Sequence, residues 1–130
     1  MSLILIRASA EAHALIKGNP DHLEAIIDAE EFAPELGIMD NDVEERNYLG
    51  AARLCEERGL SRDGDDGVFR DLRVDGEIDY EATYGPAFSI SPAAAAIACA
   101  ESVLLADDDD LRAWIAEAVK HGSYVIGLVI

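Results

Sequence analysis

The two ends of the chain are its most apolar strand-like segments, and this constrains the fold more than any other feature. Leu3-Ile4-Leu5-Ile6 lies near the start, and Ser123 to Ile130 closes the chain without a single charge. Neither run alternates polar with apolar residues, and neither shows a helical period. A strand of that kind is buried on both faces, so it belongs in the middle of a covered sheet. The expectation is therefore an α/β or α+β fold, with residues 1–130 as one domain. Its central sheet is expected to be mixed, with the N- and C-terminal strands adjacent and about five helices packed around it.

Between those ends the helix signals are local. Ser9 is placed to cap a short helix that stops near Gly18, and Asn19-Pro20 restarts the chain into a second helix. Leu23, Ile26 and Ile27 give that helix a buried stripe, and Pro34 lies beyond its end near Phe32. Asp40 or Asn41 is expected to start a third helix, running to about Arg58 with Gly59 as its stop. Arg62 to Gly67 reads as a polar loop. Val68–Val74 and Glu77–Ala82 read as strands joined by Asp75-Gly76, a hairpin-type dipeptide. Phe88-Ser89-Ile90 is a short extended segment. Ser91-Pro92 opens a helix through about Leu105 that is apolar almost all round and is therefore expected to be buried. The run Asp107 to Asp110 opens a last helix with Leu111, Trp114, Ile115 and Ala118 on one face, ended by Gly122.

The second constraint is charge. The chain carries 27 Asp and Glu against 10 Lys and Arg, a formal net charge of −17 on 130 residues. The acids are spread along the chain rather than gathered in a tail, and their mutual repulsion opposes compaction. Half of the residues are hydrophobic, so the chain still has the material for a core and lacks the composition of a disordered protein. Direct nucleic-acid binding is disfavoured, because phosphate neutralisation needs clustered Lys and Arg. The apolar run at Leu3 is too short for a signal-peptide core, and the longest apolar tract, Pro92 to Ala100, is far below membrane-spanning length. A cytoplasmic location without membrane association is expected. Cys55 and Cys99 then read as reduced, buried thiols.

Motifs for catalysis or cofactors are missing from the sequence. The acidic loop Asp63-Gly64-Asp65-Asp66-Gly67 fails as a calcium loop: counted from Asp63, Val68 and Val74 occupy the glycine and closing-glutamate places. Asp107 to Asp110 is explained by the helix dipole and a cap. His13, His22 and His121 have no His or Cys at zinc-ligand spacing, and Glu11 and Glu24 lie two residues from their nearest histidine, off its helix face. Ser91 before Pro92 is a cap rather than a nucleophile, and Gly64, Gly67 and Gly76 match no phosphate-binding pattern. No catalytic residue, cofactor or metal site is assigned.

One pattern has more content. Asp21, Glu24, Asp28, Glu31 and Glu35 follow one another at alternating spacings of three and four, away from Leu23 and Ile26. While a helix lasts, such acids form a stripe with about 5.4 Å between turns, close to the repeat of a phosphate backbone. No Lys or Arg interrupts the segment from Asn19 to Glu45.

Tyr84-Gly85-Pro86-Ala87, followed by Ile90-Ser91-Pro92 and an Ala-rich helix, resembles a segment of the YfbM-like family of small bacterial proteins. The resemblance covers the C-terminal half. It implies a mixed α/β fold and supplies no activity or catalytic residues.

These features together point to a non-enzymatic acidic binding protein. The five-residue stripe would dock a basic protein partner, such as a nuclease, toxin or other nucleic-acid-binding protein, as an immunity protein, antitoxin or inhibitor does, with nucleic-acid mimicry as one route. Two other readings compete: a small α/β enzyme using surface carboxylates, with or without a metal, and an acid-rich housekeeping domain whose charge has no binding role.

Overall fold

The computed structural model describes residues 2–28, 33–46, 74–83, 85–101, 105 and 108–130. Five strands form one sheet: β1 (Leu3–Ala8), β2 (Val43–Arg46), β3 (Gly76–Ala82), β4 (Gly85–Ile90) and β5 (Tyr124–Val129), in the order β2-β1-β5-β4-β3. The terminal strands pair centrally, from Leu3 opposite Val129 to Ala8 opposite Tyr124, as their apolar character requires. Ser2 and Ile130 extend the pairing by exchanging both backbone hydrogen bonds, at 2.8 and 2.9 Å.

Every strand pair is antiparallel, where a mixed sheet was expected. Parallel neighbours need a crossover connection, usually a single helix. Among the described residues α1 (Ala10–Gly18) and α2 (Asp21–Asp28) follow β1, and α3 (Pro92–Glu101) and α4 (Asp109–Lys120) lie between β4 and β5.

Alternate residues of the central strands feed two cores. Ile6, Ala8, Ile126 and Leu128 meet Ala12 and Ile16 of α1 and Leu23 and Ile26 of α2. On the opposite face Leu3, Leu5, Phe88, Val125 and Val129 meet Ala94, Ala95 and Ala98 of α3 and Leu111, Trp114, Ile115 and Ala118 of α4. Sheet burial on both faces is what the terminal sequences demanded.

The caps form where the sequence places them. Ser9 Oγ accepts from Ala12 N–H at 3.1 Å, Ser91 Oγ from Ala94 N–H at 3.2 Å, and Asp108 Oδ1 from Leu111 N–H at 3.0 Å. Helix α4 ends in a Schellman motif. Gly122 is left-handed at φ +65°, its N–H donates to Val119 at 3.1 Å, and Ser123 N–H donates to Ala118 at 2.8 Å.

Three local expectations are corrected. Asp40–Asp42 forms a single 3₁₀ turn, and the chain enters β2 instead of a third helix. The open edge of β1 offers Val43–Arg46 a ladder, from Ile6 opposite Val43 to Leu3 opposite Arg46, and that pairing overrides the helix propensity of Glu44 and Glu45. Asp75-Gly76 is not a hairpin turn. Gly76 is the first residue of β3, the hairpin is β3–β4, and the Asp75 carboxylate accepts from both Ser91 N–H, at 2.8 Å, and Ser91 Oγ–H. Helix α3 is apolar all round but buried on one side only: Ala93, Ala96, Ile97 and Ala100 face outward. Four α-helices occur among the described residues, against about five expected. The rest of the predicted third helix, Cys55, the Arg62–Gly67 loop and residues 68–73 of the predicted strand lie outside the described residues. Among the described residues no helix is long and apolar enough to cross a membrane.

Candidate functional site

Helix α2 carries the first part of the acidic stripe. Leu23 and Ile26 point into the core, leaving Asp21, Glu24 and Asp28 exposed on the outer side. These three carboxylates make no ion pair with any described cation. Glu31 lies outside the described residues. Glu35 is exposed on a separate 3₁₀ turn, Pro34–Leu36, which Gly37 closes in the left-handed region at φ +74°. The helix therefore unites three of the five residues, and Glu35 reaches the surface on a different element.

The structure adds a neighbour that the linear pattern did not single out. Strand β3 stands at the end of the sheet order, and its residues alternate: Ile78 and Ala82 are buried, while Glu77, Asp79 and Glu81 are exposed. Its register against β4 shifts between Ile78 and Glu81, across Asp79 and Tyr80. A bulge and a row of charges both discourage unwanted strand pairing at a sheet edge. Tyr80 packs on the core beneath α1 and α2. Its phenol is pushed up by burial and then by the negative fields of Glu24, Asp28 and Asp21. The α2 carboxylates are thus within electrostatic reach of Tyr80 on β3. A groove of about 420 Å³ runs along this strand, with Lys17, Asp79, Tyr80, Glu81 and Pro86 among its walls. The face is acidic with one flanking base, and it can hold a cationic, extended or knob-like surface.

A second cleft, of about 360 Å³, lies between Arg7, Asp42, Glu117, His121 and Ser123. Its floor is a structural network. Arg7 Nε donates to Asp42 Oδ1 at 3.1 Å, and its two terminal nitrogens donate to the carbonyls of Asn41, at 2.7 Å, and Trp114, at 3.2 Å. The guanidinium also lies over the Trp114 ring, 4.7 Å from its centroid. With its donors engaged inward, Arg7 holds the 3₁₀ turn against α4 rather than presenting charge to a ligand. At the rim, His121 Nε2 sits 3.3 Å from Glu117 on the exposed end of α4.

Several other titratable residues have structural roles. Asp108 caps α4 and also accepts from Arg46 Nε at 2.8 Å. Asp109 and Asp110 are exposed in the first turn, and Asp107 lies outside the described residues. The hydrogen bond that Arg46 donates to Asp108 raises its pKa above the ordinary value, helped by Glu44 and opposed by burial. His13 is buried and stacked on Tyr124. Cys99 is a free, half-buried thiol whose pKa burial raises, partly offset by Arg112. Among the described residues no three His, Cys, Asp or Glu side chains are grouped so as to hold a metal ion. No protein-family model, curated protein or solved structure matches the chain.

Proposed function

We propose that this is a non-enzymatic binding protein whose acidic face, carried by α2 and supplemented by β3, docks a basic protein partner. The supporting observation is that Asp21, Glu24 and Asp28 stand exposed together on α2 without a described cation partner, within electrostatic reach of Tyr80 on β3. Carboxylates held together against their own repulsion cost stability, and a cationic partner relieves that cost on binding. A nuclease, toxin or other nucleic-acid-binding protein carries the complementary surface, so the role is that of an immunity protein, antitoxin or inhibitor. Affinity comes from desolvated contacts in the groove at Tyr80 and Pro86, while the carboxylates steer association and set register. The YfbM-like resemblance around Gly85–Pro92 contributes no activity to this reading.

The test is a triple reversal, Asp21→Lys, Glu24→Lys and Asp28→Lys. Wild type and variant are used to capture proteins from the native host, and each captured basic protein is then purified and bound afresh. The fold should survive, since exposed charges contribute little to stability. Association should be slower for the variant, and the wild-type rate should fall steeply with salt. Equal partners, yields and association rates for the two proteins would remove α2 from the functional account.

A further inference from the structure

His13 is the one buried side chain in the described residues whose polar atom finds no partner. It sits on α1, 9% exposed, and its Nε2 has neither solvent contact nor a hydrogen bond. Buried polar nitrogens are nearly always satisfied, so one left without a partner calls for an explanation. Its ring lies flat on that of Tyr124 at the start of β5, with centroids 4.0 Å apart and planes 10° from parallel. The stack is the polar end of an otherwise apolar seam: Ala12 and Ile16 of α1 continue it against Ile6, Ala8 and Ile126.

The charged groups around the ring are few. Lys17 lies one turn further along α1 and opposes a second positive charge. Asp75, ahead of β3, favours one, but its carboxylate is engaged by Ser91 N–H and Oγ–H. β5 contributes the Tyr124 ring. β1 and α2, which also pack against α1, contribute Ile6, Ala8, Leu23 and Ile26 to this side of the sheet. A neutral imidazole suits this setting. An imidazolium would carry an N–H at Nε2 with no acceptor, in a site already facing Lys17.

We infer that His13 is an acid-sensing latch: neutral, it clamps α1 to the terminal strand β5 through Tyr124, and on protonation it releases α1 from the sheet. Burial first, and Lys17 second, hold the His13 pKa below the ordinary histidine value, against the weaker pull of Asp75. The sign follows from linkage. The unfolded or undocked chain takes up the proton at higher pH than the docked one. The clamp is therefore at full strength above about 6.5, the ordinary value, and weakens as pH falls from there through the lowered pKa of the docked state. Each unit of difference is worth about tenfold in the opening equilibrium. The background acts the other way, because neutralising carboxylates on a chain of charge −17 relieves repulsion. α2 follows α1 through Asn19-Pro20, so release of α1 also loosens the carrier of the acidic stripe. The latch itself stands independently of the docking reading.

Two measurements on the full chain test it, between about pH 7.5 and pH 5, the range in which histidine titrates. The first is the titration of the His13 ring protons by NMR. The second is the hydrogen-exchange protection of the α1 amides, corrected for intrinsic exchange, in wild type and in His13→Phe, which keeps a stacking ring without a proton to gain. The expected result is a His13 midpoint below about 6.5 and α1 protection that falls as His13 protonates in the wild type only. A midpoint at or above the ordinary value overturns the latch. So does unchanged α1 protection through the His13 titration, or an identical pH dependence in His13→Phe. Should the variant not fold, the two wild-type measurements decide the matter alone.

Discussion

Phe88 and Gly127 stand directly opposite each other on β4 and β5, and the Phe88 ring occupies the space that a side chain at 127 would fill. The ring belongs to the core beneath α3 and α4, so its position is set from several sides. Gly127 is thus the vacancy that lets a large aromatic sit against a buried central strand of the sheet.

Gly127→Ala should therefore be destabilising by about 2 kcal/mol, the usual cost of overpacking a core. Chemical denaturation with a two-state fit measures it. Adding Phe88→Leu should recover part of the loss, since the methyl group then has room, although Phe88→Leu alone costs stability. Strictly additive effects in this cycle would mean that the two positions do not share the space.

Arg7 should matter for stability more than a surface cation does. Its side chain is 14% exposed and ties Asp42, the Asn41 carbonyl and the Trp114 carbonyl together while lying on the Trp114 ring. Arg7→Ala should cost about 2–3 kcal/mol, because it removes the bonds to Asp42 and to the Asn41 and Trp114 carbonyls together and leaves the half-buried Asp42 carboxylate without its counter-charge. Arg7→Lys should recover little, since an ammonium cannot reproduce the planar fork or its stacking. Trp114→Phe keeps the ring but loses the Nε1–H bond to the Asn41 carbonyl, at 2.8 Å, and should cost about 1 kcal/mol from that bond. Equal stability of the alanine and wild-type proteins would mean that the network carries no energetic weight.

Cys99 should react slowly. Burial raises its thiol and so lowers the thiolate fraction at neutral pH, with Arg112 only partly compensating. In a Cys55→Ser background, labelling by an aromatic disulfide should be much slower in the native protein than in urea. Its rate should still be climbing with pH where an ordinary thiol has levelled off. Native and denatured rates that coincide would contradict the burial of Cys99.

The amino-acid sequence by itself determined the elements whose reasons are local or one-dimensional. The unbroken apolar runs at Leu3–Ile6 and Val125–Val129 could only be central strands, because burial on both faces is written in each run alone. The caps at Ser9 and Ser91, a cap within the run Asp107 to Asp110 and the stop at Gly122 were legible because each acts within a few residues of itself, and the structure gives the third cap to Asp108. The Leu111, Trp114, Ile115 and Ala118 face of α4 was legible from its period. Tertiary structure decided what depends on a distant partner. Val43–Arg46 is a strand because the edge of β1 was free to pair with it, and Asp75 serves Ser91 because β4 carries Ser91 back beside it. The acidic stripe of α2 was visible as spacing, but its electrostatic reach to Tyr80 was not, and neither was the stack of His13 on Tyr124. Hydrogen bonds, ring stacking and electrostatic fields act through space, and only the folded sheet brings those residues within their reach.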